Sequence, residues 1–260
     1  MKDKDWNGII WEGVYDTWKE ARNISLGNGF SSDTWISTAV RKLNEYRNSC
    51  NIVSNPNPIS NRFSSLPLIA SSCTSSYDKK ISILDFGGGV GTHFELLKQT
   101  LPNHKLIDYT VIETQETCEQ ARNLFSKEEN IKFYCEFPSK DLSPHICYTN
   151  SVLQYIENWI EIIQEMIEMN PEYIILDDFP AGDNNEFITI QNYYSSKMPH
   201  RFFNLEKSIR EIEQIGNYGL LYKSRYFGEV LGNFLPWPMN NFDKINRIDH
   251  SCSLVFRRGF

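Results

Sequence analysis

The chain predicts a doubly wound α/β fold, and three observations carry the prediction. From Lys80 onward, apolar strand-like runs alternate with amphipathic helical ones. The first strand, Ile81-Ser82-Ile83-Leu84-Asp85-Phe86, runs straight into a glycine turn, Gly87-Gly88-Gly89-Val90-Gly91. The second ends on an acidic residue, Glu113, about 20 residues beyond that turn.

Taken in order, the periodicity predicts a strand over 81–86, a helix over 91–100, a strand over 106–112, a helix over 115–126 and a strand over 130–135. Right-handed crossovers follow by default. A fourth strand over 145–148, a helix over 158–169 and a strong fifth strand, Tyr173-Ile174-Ile175-Leu176, continue the series. A helix over 205–215 and strands over 220–226 and 253–257 close it, the last two as an antiparallel hairpin at the sheet edge. Between them, 228–250 with Phe234-Leu235-Pro236-Trp237-Pro238 reads as an insertion, either a functional aromatic loop or an excursion with a small core of its own. Ahead of the sheet, residues 1–50 show two helical patterns. One runs from Thr17 to Arg22, the other from Asp33, read as an N-cap, through Trp35, Ile36, Val40, Leu43 and Tyr46. Residues 51–79 shift to Ser, Asn and Pro, a linker with one packed turn at Leu66 to Ala70. The expected organisation is an N-terminal helical cap and linker over 1–79 and a ligand-binding domain over 80–260.

With 260 residues and 40% hydrophobic content, one principal domain with a sizeable core is expected. A net charge of −7 speaks against a partner bound through many phosphates, so nucleic acid is not the expected acceptor. The six cysteines form no Cys-x-x-Cys pair and no zinc spacing, which fits free thiols in a reducing compartment and points to the cytoplasm. Met1 to Ile10 does not resemble a signal peptide, and no run approaches 18 apolar residues, so no stable membrane insertion is expected.

Glycines at 87, 89 and 91 permit positive φ and let backbone N–H groups approach a ligand with no Cβ in the way. A dinucleotide fingerprint wants G-x-G-x-x-G. Here the spacing is G-x-G-x-G with Thr92 next, which disfavours NAD or FAD. The arrangement Asp85-x-Gly87-x-Gly89-x-Gly91 resembles the first motif of class I S-adenosylmethionine (SAM) methyltransferases, whose loop wraps the amino-acid end of the cofactor. The bland alternative is a glycine turn with no ligand. Glu113 stands where a ribose-binding carboxylate belongs.

What the resemblance implies is a Rossmann-like class I methyltransferase fold with a seven-stranded, mostly parallel sheet and an antiparallel strand at its edge. It implies SAM as cofactor and S-adenosyl-L-homocysteine as product. Asp85, Gly87, Gly88, Gly89, Gly91, Glu113 and Thr114 would form the cofactor site, with Glu136 and Phe137 after the third strand at the adenine. Asn150 and Ser151 would run beneath the methionine moiety. Trp11-Glu12-Gly13-Val14-Tyr15, Ser151-x-Leu153-Gln154-Tyr155-Ile156 and Phe187-Ile188-Thr189-Ile190-Gln191-Asn192 extend the likeness to a family of bacterial methyltransferases from surface-polysaccharide (capsule and lipopolysaccharide) gene loci. That family implies O-methylation of a sugar or nucleotide-linked sugar. Asp177-Asp178-Phe179-Pro180 departs from its pattern after the fifth strand.

A sugar hydroxyl is a poor nucleophile, so a positioned base is expected near the ends of strands four and five, with Asp178, His200 and Asp177 as candidates and His93 behind them. Strand alternation aims only one of Asp177 and Asp178 at the site. Asp177, Asp178 and Asp183 are an alternative divalent-cation set, although no metal is expected. Trp11, Tyr15 and Trp18 are candidates for a lid, Tyr15 reaching the cofactor, or for plain packing. Two other functions compete. One is methylation of a phosphate- or carboxylate-bearing metabolite in a basic pocket supplied by Lys197, Arg201 and Lys223. The other is a catalytically silent SAM-binding subunit.

Overall fold

Strands whose residues are apolar on both faces must be covered on both, and that requirement shapes the main sheet. In the computed structural model, which describes residues 9–49, 65–76, 80–139, 142–193, 196–226 and 237–260, β2 (Ile81–Phe86) is its centre. Parallel neighbours follow on one side, β3 (Ile107–Ile112) and β4 (Ile131–Tyr134). On the other side lie β5 (Ile146–Asn150) and β6 (Tyr173–Phe179), also parallel. The seven strands are completed by β11 (Ser251–Arg258), antiparallel to both of its neighbours, β6 and β10 (Tyr218–Tyr226). The hairpin is therefore at the edge as expected. Its antiparallel member lies one strand in, and β10 is outermost.

Alternation along β2 divides the core. Ile81 and Ile83 join Leu66, Ala70 and Cys73 of α3 (Ser65–Ser76), Phe94 and Leu97 of α4 (Thr92–Thr100), and Cys118 and Ala121 of α5 (Gln115–Leu124). Leu84 faces the other way, toward Ile163 and Met166 of α6 (Trp159–Glu168) and Ile212 of α7 (Leu205–Ile215). The segment expected to be a linker thus contains a three-turn helix. Its buried residues 66, 70 and 73 follow helical spacing, Pro67 is tolerated in the first turn, and each fully buried Leu-sized side chain contributes roughly 1.5–3 kcal/mol.

A second sheet, not expected from the sequence, stands beyond the ends of the main one in the order β1-β8-β9-β7. It is built from β1 (Trp11–Tyr15), β7 (Ala181–Gly182), β8 (Phe187–Tyr193) and β9 (Ser196–Asn204). Trp11 and Tyr15 are therefore strand residues rather than part of a helical cap. Their helix-like spacing comes from a bulge between Glu12 and Tyr15, where Gly13 takes φ +74°. The cap is helical further on, in α1 (Trp18–Arg22) and α2 (Asp33–Ser49). Ser32, not Asp33, caps α2: its hydroxyl accepts from the Trp35 N–H at 3.3 Å. Of the expected insertion, residues 237–250 are described, and Trp237, Met239, Phe242 and Ile248 pack with Ile10, Trp11, Phe187 and Phe202 of the second sheet. Phe234 to Pro236 lie outside the described residues, as does much of the expected linker.

Candidate functional site

Strand order reverses at β2, whose neighbours β3 and β5 lead away in opposite directions, and ligands of open α/β sheets bind at such a point beyond the carboxyl ends of the strands. A cavity of about 750 Å³ opens there, closed on its far side by the second sheet and by α2. This volume is that of a small-molecule or cofactor site.

The glycine loop forms its floor, and its four glycines stand in four different surroundings. Gly87 has φ +71° and donates its N–H to Ile112 O at 2.8 Å; a Cβ there would stand 2.3 Å from Val152. Under Gly88 lies the Asp85 carboxylate, 2.3 Å from where a Cβ would be. Gly89, at φ +58°, meets nothing nearer than Trp35 at 3.7 Å, so this position opens on the cavity. Gly91 does not. At φ +86° it caps α4, and a Cβ would strike Phe125 at 2.9 Å, so the residue expected to touch a cofactor instead packs against α5 and β4.

Asp85 also departs from expectation. It is fully buried beneath the loop and does not line the cavity; its Oδ2 accepts from the Tyr109 hydroxyl at 2.7 Å and lies 2.9 Å from His93 Nδ1. The carboxylate therefore braces the loop and orients His93, whose ring does reach the cavity wall from the first turn of α4. Glu113 is placed as expected, at the end of β3 and half-buried in the wall. Burial raises its pKa above the usual carboxylate value, N–H groups of Thr114 (2.7 Å) and Gly89 pull it back, and the Asp85 charge raises it further. Glu113 thus ties the second strand's end to the glycine loop. Thr114 lines the cavity too, though its hydroxyl caps α5 by accepting from the Thr117 N–H at 3.4 Å.

After β4 the expected pair is not at the cavity. Glu136 is exposed and Phe137 stacks behind Phe86 at 5.4 Å; neither lines the cavity, whereas Cys135 does. Asn150 and Ser151 stand in the wall as expected. Ser151 has φ +57°, donates its N–H to Asp177 O at 3.0 Å, and accepts from Gln154 Nε2 at 3.0 Å. Alternation separates the two aspartates as foreseen. Asp178 lines the cavity, with φ +49° and its Oδ1 accepting from Ser251. Asp177 points to the opposite face, under α3, where Oδ2 accepts from Ser65 and Tyr148; burial raises its pKa, and it is no candidate base. Strained backbone of this kind, costing about 1–3 kcal/mol per residue, concentrates at functional sites. Ser151 and Asp178 are neighbours, and both face the cavity.

The far wall is aromatic. Trp11 stacks on Trp237 at 5.2 Å, Tyr155 meets Phe30 edge-on at 4.7 Å, and Trp35 and Tyr193 flank Phe30. His200 sits among them on β9, 5.8 Å from Trp11 and 5.3 Å from Tyr155. It is 2% exposed, and burial alone lowers its pKa to about 3, so at neutral pH it is an uncharged hydrogen-bonding group and a weak base. Tyr155 donates to Gln191 Oε1 at 2.7 Å. Tyr15 is not in this wall: it folds over Gly13 and packs with Trp18, Ala21, Ile188 and Ile190. Trp11 is the one member of the expected lid at the cavity. Phe30, Tyr155, Gln191 and Asn192 were not singled out as site residues, and the alternation Met198, His200, Phe202 in β9 was the signal that would have placed their wall. Among the described residues no three His, Cys, Asp or Glu are grouped to hold a metal, and no helix is long and apolar enough to cross a membrane.

No family model and no curated protein matches the sequence. Solved structures do match. A chain of the complex between the Haloferax volcanii Trm112 methyltransferase activator and its methyltransferase partner superposes with a TM-score of 0.54 at 11% identity, over 90% of this chain and 99% of that one. The [4+2]-cyclase SpnF gives a TM-score of 0.50 at 13% identity, over 75% of this chain and 80% of its own. LepI, crystallised with SAM, gives 0.48 at 12% identity; 74% of this chain aligns, spanning 46% of LepI. At these identities the likeness speaks for the fold. The protein has the Rossmann-like fold of class I methyltransferases.

Proposed function

We propose that this protein is a SAM-dependent O-methyltransferase whose acceptor is a sugar hydroxyl, in the surface-polysaccharide setting that the sequence resemblance implies. The observation that carries the cofactor reading is the joining of Glu113 to the Gly89 N–H at the floor of the cavity, a half-buried carboxylate beside a backbone position left open by glycine. Those groups fit SAM: Glu113 accepts from ribose hydroxyls, the backbone at Gly89, with no Cβ in the way, lets the amino-acid end lie close to the loop, and Asn150 and Ser151 supply polar contacts beside it. SAM bound here would supply a methyl group already activated on a sulfonium. The chain's own task is then to align an acceptor oxygen, exclude water and receive a proton. Asp178 suits the last role, because it is the carboxylate in the wall on the side of Tyr155 and the second sheet. Its expected contribution as a base is roughly 10²–10⁴ in rate.

An anionic acceptor fits less well. Lys197 pairs with Glu12, Arg201 with Glu186, and neither they nor Lys223 line the cavity. The fold also carries other chemistry, as its likeness to a [4+2]-cyclase illustrates, so turnover has to be tested and not only binding. Calorimetric titration with S-adenosylhomocysteine, with NAD as control, is expected to show micromolar binding that Glu113→Ala weakens at least about tenfold. A folded wild-type protein that binds neither ligand sinks the reading. Binding without methyl transfer to any hydroxyl compound would leave a silent SAM-binding subunit.

A further inference from the structure

We propose that the β1–β8–β9 face is a subsite for an uncharged, hydroxyl-bearing ring and that His200 Nε2 is the positioning group that holds the acceptor hydroxyl. This rests on the methyl-transfer reading above and deepens it by naming the subsite and the residue that hold the acceptor. Three observations support it. First, alternation along β9 sorts the strand chemically. Met198, His200 and Phe202 turn inward, while Lys197 and Arg201 turn outward and are neutralised by Glu12 and Glu186. The sheet therefore shows its uncharged face to the cavity. Second, the only Lys, Arg, Asp or Glu among the described lining residues are Lys42 on α2, Glu113 at the glycine loop and Asp178. Asp178, whose charge acts on Tyr155 of the aromatic wall, would repel an anion there, and aromatic faces are themselves electronegative. A phosphate placed here would be desolvated with no cation from this sheet to meet it. Third, His200 Nδ1 is sealed without a hydrogen-bond partner, which leaves Nε2 as the nitrogen through which this cavity-lining ring can bind a ligand. Trp11 and Tyr155 on either side of it offer ring faces and edges on which a flat or chair-shaped ring packs.

The test uses three substitutions of His200 that separate its two nitrogens. Gln reproduces a polar atom near the Nε2 position, Asn reproduces one near Nδ1, and Phe fills the box without a hydrogen bond. Binding is read by quenching of tryptophan fluorescence with methyl pyranosides, with simple phenols, and with phosphorylated versions of both. S-adenosylhomocysteine affinity is measured on every variant by calorimetry. The expected result is that neutral rings bind at least about tenfold tighter than their phosphorylated counterparts, a preference of about 1.4 kcal/mol or more. His200→Gln should keep ring affinity within about threefold, while His200→Asn and His200→Phe lose about tenfold with cofactor affinity unchanged. The pyranoside and phenol arms tell a sugar from an aromatic alcohol. Phosphorylated rings binding as tightly as neutral ones, no neutral ring binding to the wild type, or His200→Phe matching His200→Gln would each overturn the proposal. Loss of S-adenosylhomocysteine binding with ring binding intact would overturn the cofactor reading alone.

Discussion

Replacing His200 by Gln should flatten the response of the fold to acid, and the size of the effect follows from its burial. His200 is sealed among Trp11, Tyr155 and Phe202, and burial alone depresses its pKa to about 3 from the ordinary 6.5. Between those two values the unfolded chain binds a proton that the native protein refuses. The stability this residue permits is thus fully present above about pH 6.5 and is lost as pH falls. The loss is about 1.36 kcal/mol per pH unit, or roughly 2.7 kcal/mol at pH 4.5 relative to pH 7.5. Against a typical stability of about 5–15 kcal/mol, that shifts a urea midpoint by roughly 1 M. Glu113 and Asp177, both raised by burial, respond with the opposite sign, since the fold favours their protonated forms. They are shared by both proteins, so subtracting the His200→Gln urea curves from the wild-type curves at the two pH values isolates the histidine. A wild-type loss exceeding the variant's by about 2–3 kcal/mol is expected. If the two lose stability in parallel, His200 is not the buried neutral ring described here.

Two further outcomes follow from the loop and the cysteines. Gly91→Ala should lower stability by roughly 1–3 kcal/mol in thermal unfolding, because φ +86° disfavours any L side chain and the new Cβ meets Phe125 at 2.9 Å; an unchanged Tm would refute that packing. Among the described cysteines, Cys135 is exposed, whereas Cys73, Cys118, Cys147 and Cys252 are buried, with thiols raised by burial to about 11 in Cys73 and Cys252 and about 12 in Cys118. Alkylation mapped by mass spectrometry should therefore modify Cys135 ahead of those four, and S-adenosylhomocysteine should slow it. Equal labelling with and without that ligand would remove Cys135 from the cofactor end.

Much of the main sheet was legible because its signals are local. The run from Ile81 to Phe86 is apolar on both faces, and glycine suits the left-handed turns at 87, 89 and 91. Glu113 ends β3 where a ribose-binding carboxylate was expected, and the pleat sent Asp177 and Asp178 to opposite faces. What failed had specific causes. The bulge at Gly13 gave β1 a helical spacing, and β8 and β9 were not expected as strands; Pro199 sits in β9 where the strand runs along an edge and a missing N–H costs little. After Tyr134 the chain bends, so strand alternation does not carry on to Glu136 and Phe137, and Cys135 is the residue left at the cavity.

The sequence by itself determined the strands of the sheet and the glycine floor, since strand periodicity, turn chemistry and a carboxylate at a strand end are properties of neighbouring residues. Tertiary structure decided which groups face the cavity. Asp85 carries the motif but is covered by its own loop and held by Tyr109 and His93, while His200 reaches the site only because β9 pairs with β8 at Thr189 and is roofed by Trp11 from the other end of the chain. Burial and contact between residues far apart in sequence set those roles, and no local pattern encodes them.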